Sequence, residues 1–155
     1  MIWVETTALS ELQKEEIRIL WNLEYPVHFG HASLADFETY LQNLSNPTHV
    51  LIIDDTQKIR AWYCHFTREN EKWFAMILDS TLQGQGFGSR LLERAKSREE
   101  ELHGWVVENN IQKKRNGEFY KSPLQFYLKN GFKIVEGSSL ELKKTPVFKI
   151  KWKKI

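Results

Sequence analysis

The chain has 155 residues and a mass of 18.4 kDa, which fits about one domain. Apolar residues make up 41% and charged residues 27%, and 22 Lys+Arg stand against 20 Asp+Glu. That balance excludes a disordered chain, a membrane-embedded chain and a strongly basic nucleic-acid binder. The lone cysteine, Cys64, permits no internal disulfide and no multi-cysteine zinc site, and points to a reducing cytoplasm. No run approaches about 18 apolar residues, and no basic segment followed by an apolar one opens the chain, so neither a membrane span nor a signal peptide is expected.

Ile2 to Thr6 reads as a strand. Ser10 and Gln13 stand in capping-box spacing ahead of a helix that carries Leu12, Ile19 and Leu20 to about Glu24, where Tyr25-Pro26 stops it. After a loop over 27–32, Ser33 caps a second helix bearing Leu34, Phe37, Leu41 and Leu44, closed by Asn46-Pro47. Strands follow at His49–Asp54, Ile59–Thr67 and Trp73–Leu78. The last is nearly continuously apolar, as a central strand covered on both faces would be. A helix is expected from about Phe87 to Glu101, then a short strand at Trp105–Val107 and a long polar connection from Asn109 to Lys121. Ser122-Pro123-Leu124-Gln125 has the form of a capped helix start, and Asn130-Gly131 that of a stop. Phe132–Val135 and Leu140–Leu142 are strand-like. Val147–Trp152 places Phe148, Ile150 and Trp152 on one face and Lys149, Lys151 and Lys153 on the other, a pattern that fits edge protection. The order β-α-α-β-β-β-α-β-α-β-β implies an α/β (α+β) mixed sheet with helices on both faces, in one domain over 1–155.

Three glycines fall within Gln83-Gly84-Gln85-Gly86-Phe87-Gly88, between the most apolar strand and a helix. Glycine lets a backbone approach a ligand closely, and a helix N-terminus offers unpaired N–H groups, so the junction suits an anion such as phosphate. The Rossmann pattern fails because Ser89 or Leu91 stands where its last glycine belongs, and the P-loop fails for want of Gly-Lys-Ser/Thr. The structural alternative is a turn that packs helix closely on strand.

The Gln-x-x-Gly-x-Gly spacing resembles the acyl-CoA pyrophosphate loop of the GCN5-related N-acetyltransferases, the GNAT superfamily. Phe126-Tyr127-Leu128-Lys129-Asn130-Gly131-Phe132 resembles the late helix of that family, and the element order is similar across the whole chain. The resemblance implies a GNAT-like acyl-CoA N-acyltransferase fold and an acetyl-CoA-dependent N-acetyltransferase. In it the backbone near Met76 and Leu78 would hold the pantetheine arm, with a neighbouring N–H polarising the thioester carbonyl. The segment Gln83, Gly84, Gln85, Gly86, Phe87, Gly88 and Ser89 would hold the pyrophosphate, and Tyr127 would meet the CoA sulfur. Thiols ionise near 8.5 and tyrosine near 10, so Tyr127 stays protonated at neutral pH and can donate to a leaving thiolate. Packing with Leu124, Phe126 and Phe132 is its structural alternative.

An acceptor amine must first lose a proton, and the residues leave the base open among Glu24, His28, His31, His65, Asp79 and Glu108. Glu24 is favoured because it ends the first helix beside the expected acceptor cleft. Where some members carry a glutamate on the central strand this chain has Lys72. Ser80 stands for a common proline and Tyr120 for a common asparagine, so Asn109 or Asn110 is the candidate replacement. The Asn109–Lys121 loop is either a polar insertion or a lid whose Lys113, Lys114, Arg115, Glu118 and Phe119 shape acceptor preference or hold the CoA 3′-phosphate. His28-x-x-His31 lacks a third ligand in spacing, so no metal is expected. The implied partner is an amine acceptor, a small molecule or a peptide or protein, with no nucleic acid and no membrane, on a monomer or homodimer. The alternative function is a non-catalytic acyl-CoA-binding sensor or interaction module on the same fold.

Overall fold

The computed structural model describes all 155 residues. Strand β1 (Ile2–Thr6) leads into helix α1 (Glu11–Glu24), a 3-10 turn (Val27–Phe29) and helix α2 (Leu34–Gln42). Strands β2 (Ser45–Ile53), β3 (Ile59–Arg68) and β4 (Glu71–Leu78) follow, then a 3-10 turn (Ser80–Leu82), helix α3 (Phe87–Lys96) and strand β5 (Glu101–Val107). Helix α4 (Leu124–Lys129) and strands β6 (Lys133–Ile134), β7 (Leu140–Leu142) and β8 (Thr145–Lys153) complete the chain. The sheet runs β1-β2-β3-β4-β5-β8-β6, with β7 also on β8. Every pairing is antiparallel except β4 with β5.

Side chains alternate along the strands between two apolar cores. Val50, Ile52, Ala61, Tyr63 and Phe74 pack with Leu91, Leu92 and Ala95 of α3 and Tyr127 of α4. Leu51, Trp62, Cys64, Trp73 and Ile77 pack with Ile17, Leu20 and Trp21 of α1 and Phe37 of α2. The helices therefore cover opposite faces, and β4 sits between them as its apolar run implies. The Cys64 thiol is fully buried, and burial pushes its pKa up to about 12.

Several local expectations change. Helix α3 stops at Lys96, and β5 starts at Glu101 rather than Trp105. Glu101 and Leu102 pair with Lys153 and Trp152 in the sheet, an interaction that helical spacing could not reveal. Asn46 and Pro47 do not end a helix; they lie in β2, where the register with β3 shifts between Ser45 and Thr48. A register shift is where a strand tolerates proline. Three strands follow α4, at the three segments whose patterns are strand-like and one more than the expected element order counts. Strand β8 is not an edge, because β5 lies on one side and β6 and β7 on the other. Its Lys149 instead reaches Glu71 at 2.9 Å and lies over Trp73.

Candidate active site

Strands β4 and β5 meet in register only at Trp73 and His103. Beyond that point they are not laddered, and the C-terminal half of β4 keeps one open edge in the middle of the sheet. Backbone direction alternates along a strand, and the Asp79 N–H donates to Arg60 O of β3 at 2.8 Å. The peptide groups of Met76 and Leu78 therefore face the gap. Both carbonyls already accept protein hydrogen bonds: Met76 O from the Tyr25 hydroxyl at 3.0 Å and Leu78 O from Gln83 Nε2 at 3.1 Å.

The glycine segment turns directly off this edge. Gly84 and Gly86 have φ of +77° and +85°, and no atom lies within 4 Å of the place a Cβ would take at either. Glycine is needed there for conformation, and the space over the backbone is open. Gly86 is the N-cap of α3 and supplies no side-chain cap, so a ligand can use the N–H groups of the first turn. Gly88 differs: a Cβ there would lie 2.8 Å from Phe126 Cζ, so this glycine seats α3 against α4. Gln85 bonds Thr81 O at 2.5 Å, Phe87 is half-buried under Arg90, and Ser89 is half-buried. The two glutamines, both exposed, thus tie the turn to nearby backbone carbonyls, a role the spacing alone did not reveal.

Tyr127 is buried on α4, with ring contacts to Phe74, Phe126 and Phe132. Burial, with Tyr25 and Tyr120 nearby, lifts its pKa well above the usual tyrosine value. The ring is packed as its structural alternative requires, and the phenol is held in its protonated form. Tyr25 and Tyr120 lie with ring centroids 6.3 Å apart, so three tyrosines gather around the open edge of β4.

Glu24, the last residue of α1, accepts from the Ser80 N–H at 3.0 Å and stands 3.7 Å from Lys114 Nζ. Burial raises its pKa; the Ser80 amide and Lys114 oppose the shift without cancelling it. The other candidate bases are engaged elsewhere. His31 is buried against Trp21, Phe37 and Tyr40, and burial lowers its pKa. His65 bonds Tyr63 and faces Glu99, in register with Phe74 rather than with the open edge. His28 is exposed in its turn. Burial opposes ionisation of Asp79, but Thr81 and Arg60 outweigh it and keep the carboxyl ionised. Glu108 takes the Ser139 hydroxyl.

The Asn109–Lys121 connection is a small hairpin. Lys113 bridges Phe119, Tyr120 N donates to Gln112 O at 2.7 Å, and Gly117 turns the chain at φ +87°. It docks on the α1–α2 loop through Val27 N to Lys113 O at 2.9 Å. Asn109 is half-buried and accepts from Ile111 N, a local turn, while Asn110 accepts from Ser122 N at 2.7 Å. Ser122 accepts from Leu124 N at 3.4 Å, a long version of the expected cap. Pro123 holds the N-cap position, and the Ser122 hydroxyl donates to Val107 O at 2.6 Å, tying β5 to the helix. Sequence reasoning missed Tyr25, which appeared only as a helix stop; nothing in spacing connects it with Met76.

The family model described as acetyltransferase (GNAT) domain matches residues 46–134. An aminoglycoside 6′-N-acetyltransferase solved in complex with coenzyme A is similar at TM-score 0.70 and 16% identity, covering 100% of this chain and 98% of that one. The aminoglycoside 6′-N-acetyltransferase of Enterococcus faecium gives TM-score 0.69 and 15% identity, covering 100% and 98%. An acyl-CoA N-acyltransferase of Pseudomonas aeruginosa gives 0.69 and 14%, covering 97% and 98%. No curated protein sequence matches.

Proposed function

The chain belongs to the GNAT acetyltransferase family, and on that premise we propose that it is a single-domain, cytoplasmic N-acetyltransferase moving an acetyl group from acetyl-CoA to a primary amine in a ternary complex. The observation that carries this reading is the open edge of β4 running straight into an uncapped, glycine-opened helix N-terminus. The peptide groups of Met76 and Leu78 suit a pantetheine arm. The turn from Gln83 to Ser89 suits a pyrophosphate, whose charge the first-turn N–H groups of α3 would meet. Asn109, just past β5 and bonded within its own turn, is the further proposed cofactor contact.

Glu24 is the proposed base. A carboxylate whose pKa is raised by burial binds a proton more readily than an exposed one. Its oxygen toward Lys114 takes a proton from the acceptor ammonium and leaves a neutral amine. The amine attacks the thioester carbonyl, the C–N bond forms and the C–S bond breaks. Tyr127 supplies a proton to the departing sulfur. Of the three ammonium protons, one stays on the amide, one replaces the proton given by Tyr127, and one leaves through Glu24. No metal enters this scheme.

Tyr127→Phe tests the reading. It keeps the ring packing and removes the donor. Acetyl transfer, followed by thiol release, should fall by about 10²–10⁴-fold, with acetyl-CoA affinity unchanged. Wild-type protein that binds acetyl-CoA but acetylates no amine would favour the sensor module.

A further inference from the structure

Glu24 and Lys114 come from distant segments, the end of α1 and the 112–120 hairpin. Their side chains are only 10% and 17% exposed. At 3.7 Å the pair is longer than a hydrogen bond. A nearly buried ion pair at that distance does not recover the cost of taking two charges out of water, so stability alone gives little reason for it. The main chains around it are fixed. Ser80 N–H holds one oxygen of Glu24. Lys113 O takes Val27 N, and Lys114 bonds Glu118 O through its N–H and Gly117 N through its carbonyl. The Lys114 ammonium makes no hydrogen bond, so its side chain is not tethered as that of Glu24 is.

We propose that the acceptor is a free α-amino acid, whose ammonium replaces Lys114 at Glu24 and whose carboxylate replaces Glu24 at Lys114. The dimensions agree: bond lengths place the nitrogen and the carboxylate oxygens of an α-amino acid within about 3.5 Å of each other. The exchange trades one ion pair for two and leaves neither buried charge alone. The surroundings disfavour other amines. A polyamine or an aminosugar brings several cations, but the second acid nearby, Asp79, is already taken by Arg60 at 3.2 Å and by Thr81. Lys113 and Arg115, against the single acid Glu118, leave the same hairpin positively charged. A peptide N-terminus has an amide where the amino acid has its carboxylate, so it leaves Lys114 without a partner.

This inference rests on the proposed acetyltransferase reading, and the test separates the two. Acetyl-CoA binding is measured first by calorimetry; its absence in wild-type protein overturns both. Acetyl transfer is then measured with each of the twenty L-amino acids, with the matching α-amides, and with spermidine and kanamycin. The expected result is at least one amino acid turned over at least about tenfold better in kcat/KM than its amide, the loss expected for a charged hydrogen bond. Lys114→Met should bring that ratio near one by raising KM for the acid. Lys114→Arg should keep the preference, and calorimetry of both variants with acetyl-CoA separates lost acceptor recognition from lost cofactor binding. Acid and amide turned over equally, preference for spermidine or kanamycin, or no amino acid acetylated by a protein that binds acetyl-CoA, each overturns the inference while leaving the family reading intact.

Discussion

His49 accepts a hydrogen bond from Trp62 Nε1 at 3.0 Å through Nδ1, in a site where it is 4% exposed. Acceptance requires a neutral ring nitrogen, and burial, with the nearby His65, lowers the His49 pKa to about 4. The folded state thus binds fewer protons than the unfolded chain, where histidine titrates near 6.5. The stabilisation is complete above about pH 6.5, declines as pH falls, and is lost by about pH 4, a swing on the order of 3 kcal/mol. Urea midpoints should fall more steeply between pH 7 and 4 for wild type than for His49→Gln. Parallel slopes would mean that His49 is not neutral in the fold. At this scale chemistry and spacing marked the glycines, and resemblance to the family's late helix marked Tyr127. The sequence left Tyr25 without a role and gave Lys114 only a place in a lid, because their partners Met76 and Glu24 are distant in sequence and residue identity alone does not announce such a contact.

At the scale of elements, boundaries governed by local hydrogen bonds were legible and those governed by the sheet were not. The Ser10–Gln13 capping box forms as the spacing implies, with Gln13 N to Ser10 Oγ at 3.1 Å and Ser10 N to Gln13 Oε1 at 2.9 Å. Ser10→Ala should cost about 1 kcal/mol, and a thermal melt should show a drop of about 2–4 °C; an unchanged melting temperature would show that the box adds nothing to α1. The Ser122-Pro123 signal has the same local form, yet Ser122 is drawn to Val107 O by the end of β5. The 109–121 connection has no apolar period to betray a hairpin, and its docking on Val27 is a tertiary contact. The start of β5 was hidden for the same reason: Glu101 earns its strand conformation from pairing with Lys153.

Across the whole molecule, the sheet divides at the point where its one parallel pairing lapses. The core under α3 and α4 runs across this point, joining Val50, Tyr63 and Phe74 on one side to Leu102, Val106 and Ile150 on the other, so the gap sits in a packed frame. Tyr25 and Gln83 currently satisfy the carbonyls at its edge, and a pantetheine arm must fit beside them or take their places. Apolar runs and element order made the two-faced sheet legible, whereas the gap depends on where pairing stops.

The central claim is that this gap and the adjoining turn bind acyl-CoA, and thermal denaturation with 1 mM ligand tests it most directly. For a dissociation constant of about 10 μM, that concentration adds about 2.7 kcal/mol, a rise of several degrees at about 2–4 °C per kcal/mol. The account predicts that rise with acetyl-CoA and with CoA, and none with NAD or ATP. No shift with either CoA species would contradict it and leave the glycine turn as a device for packing α3 on the sheet.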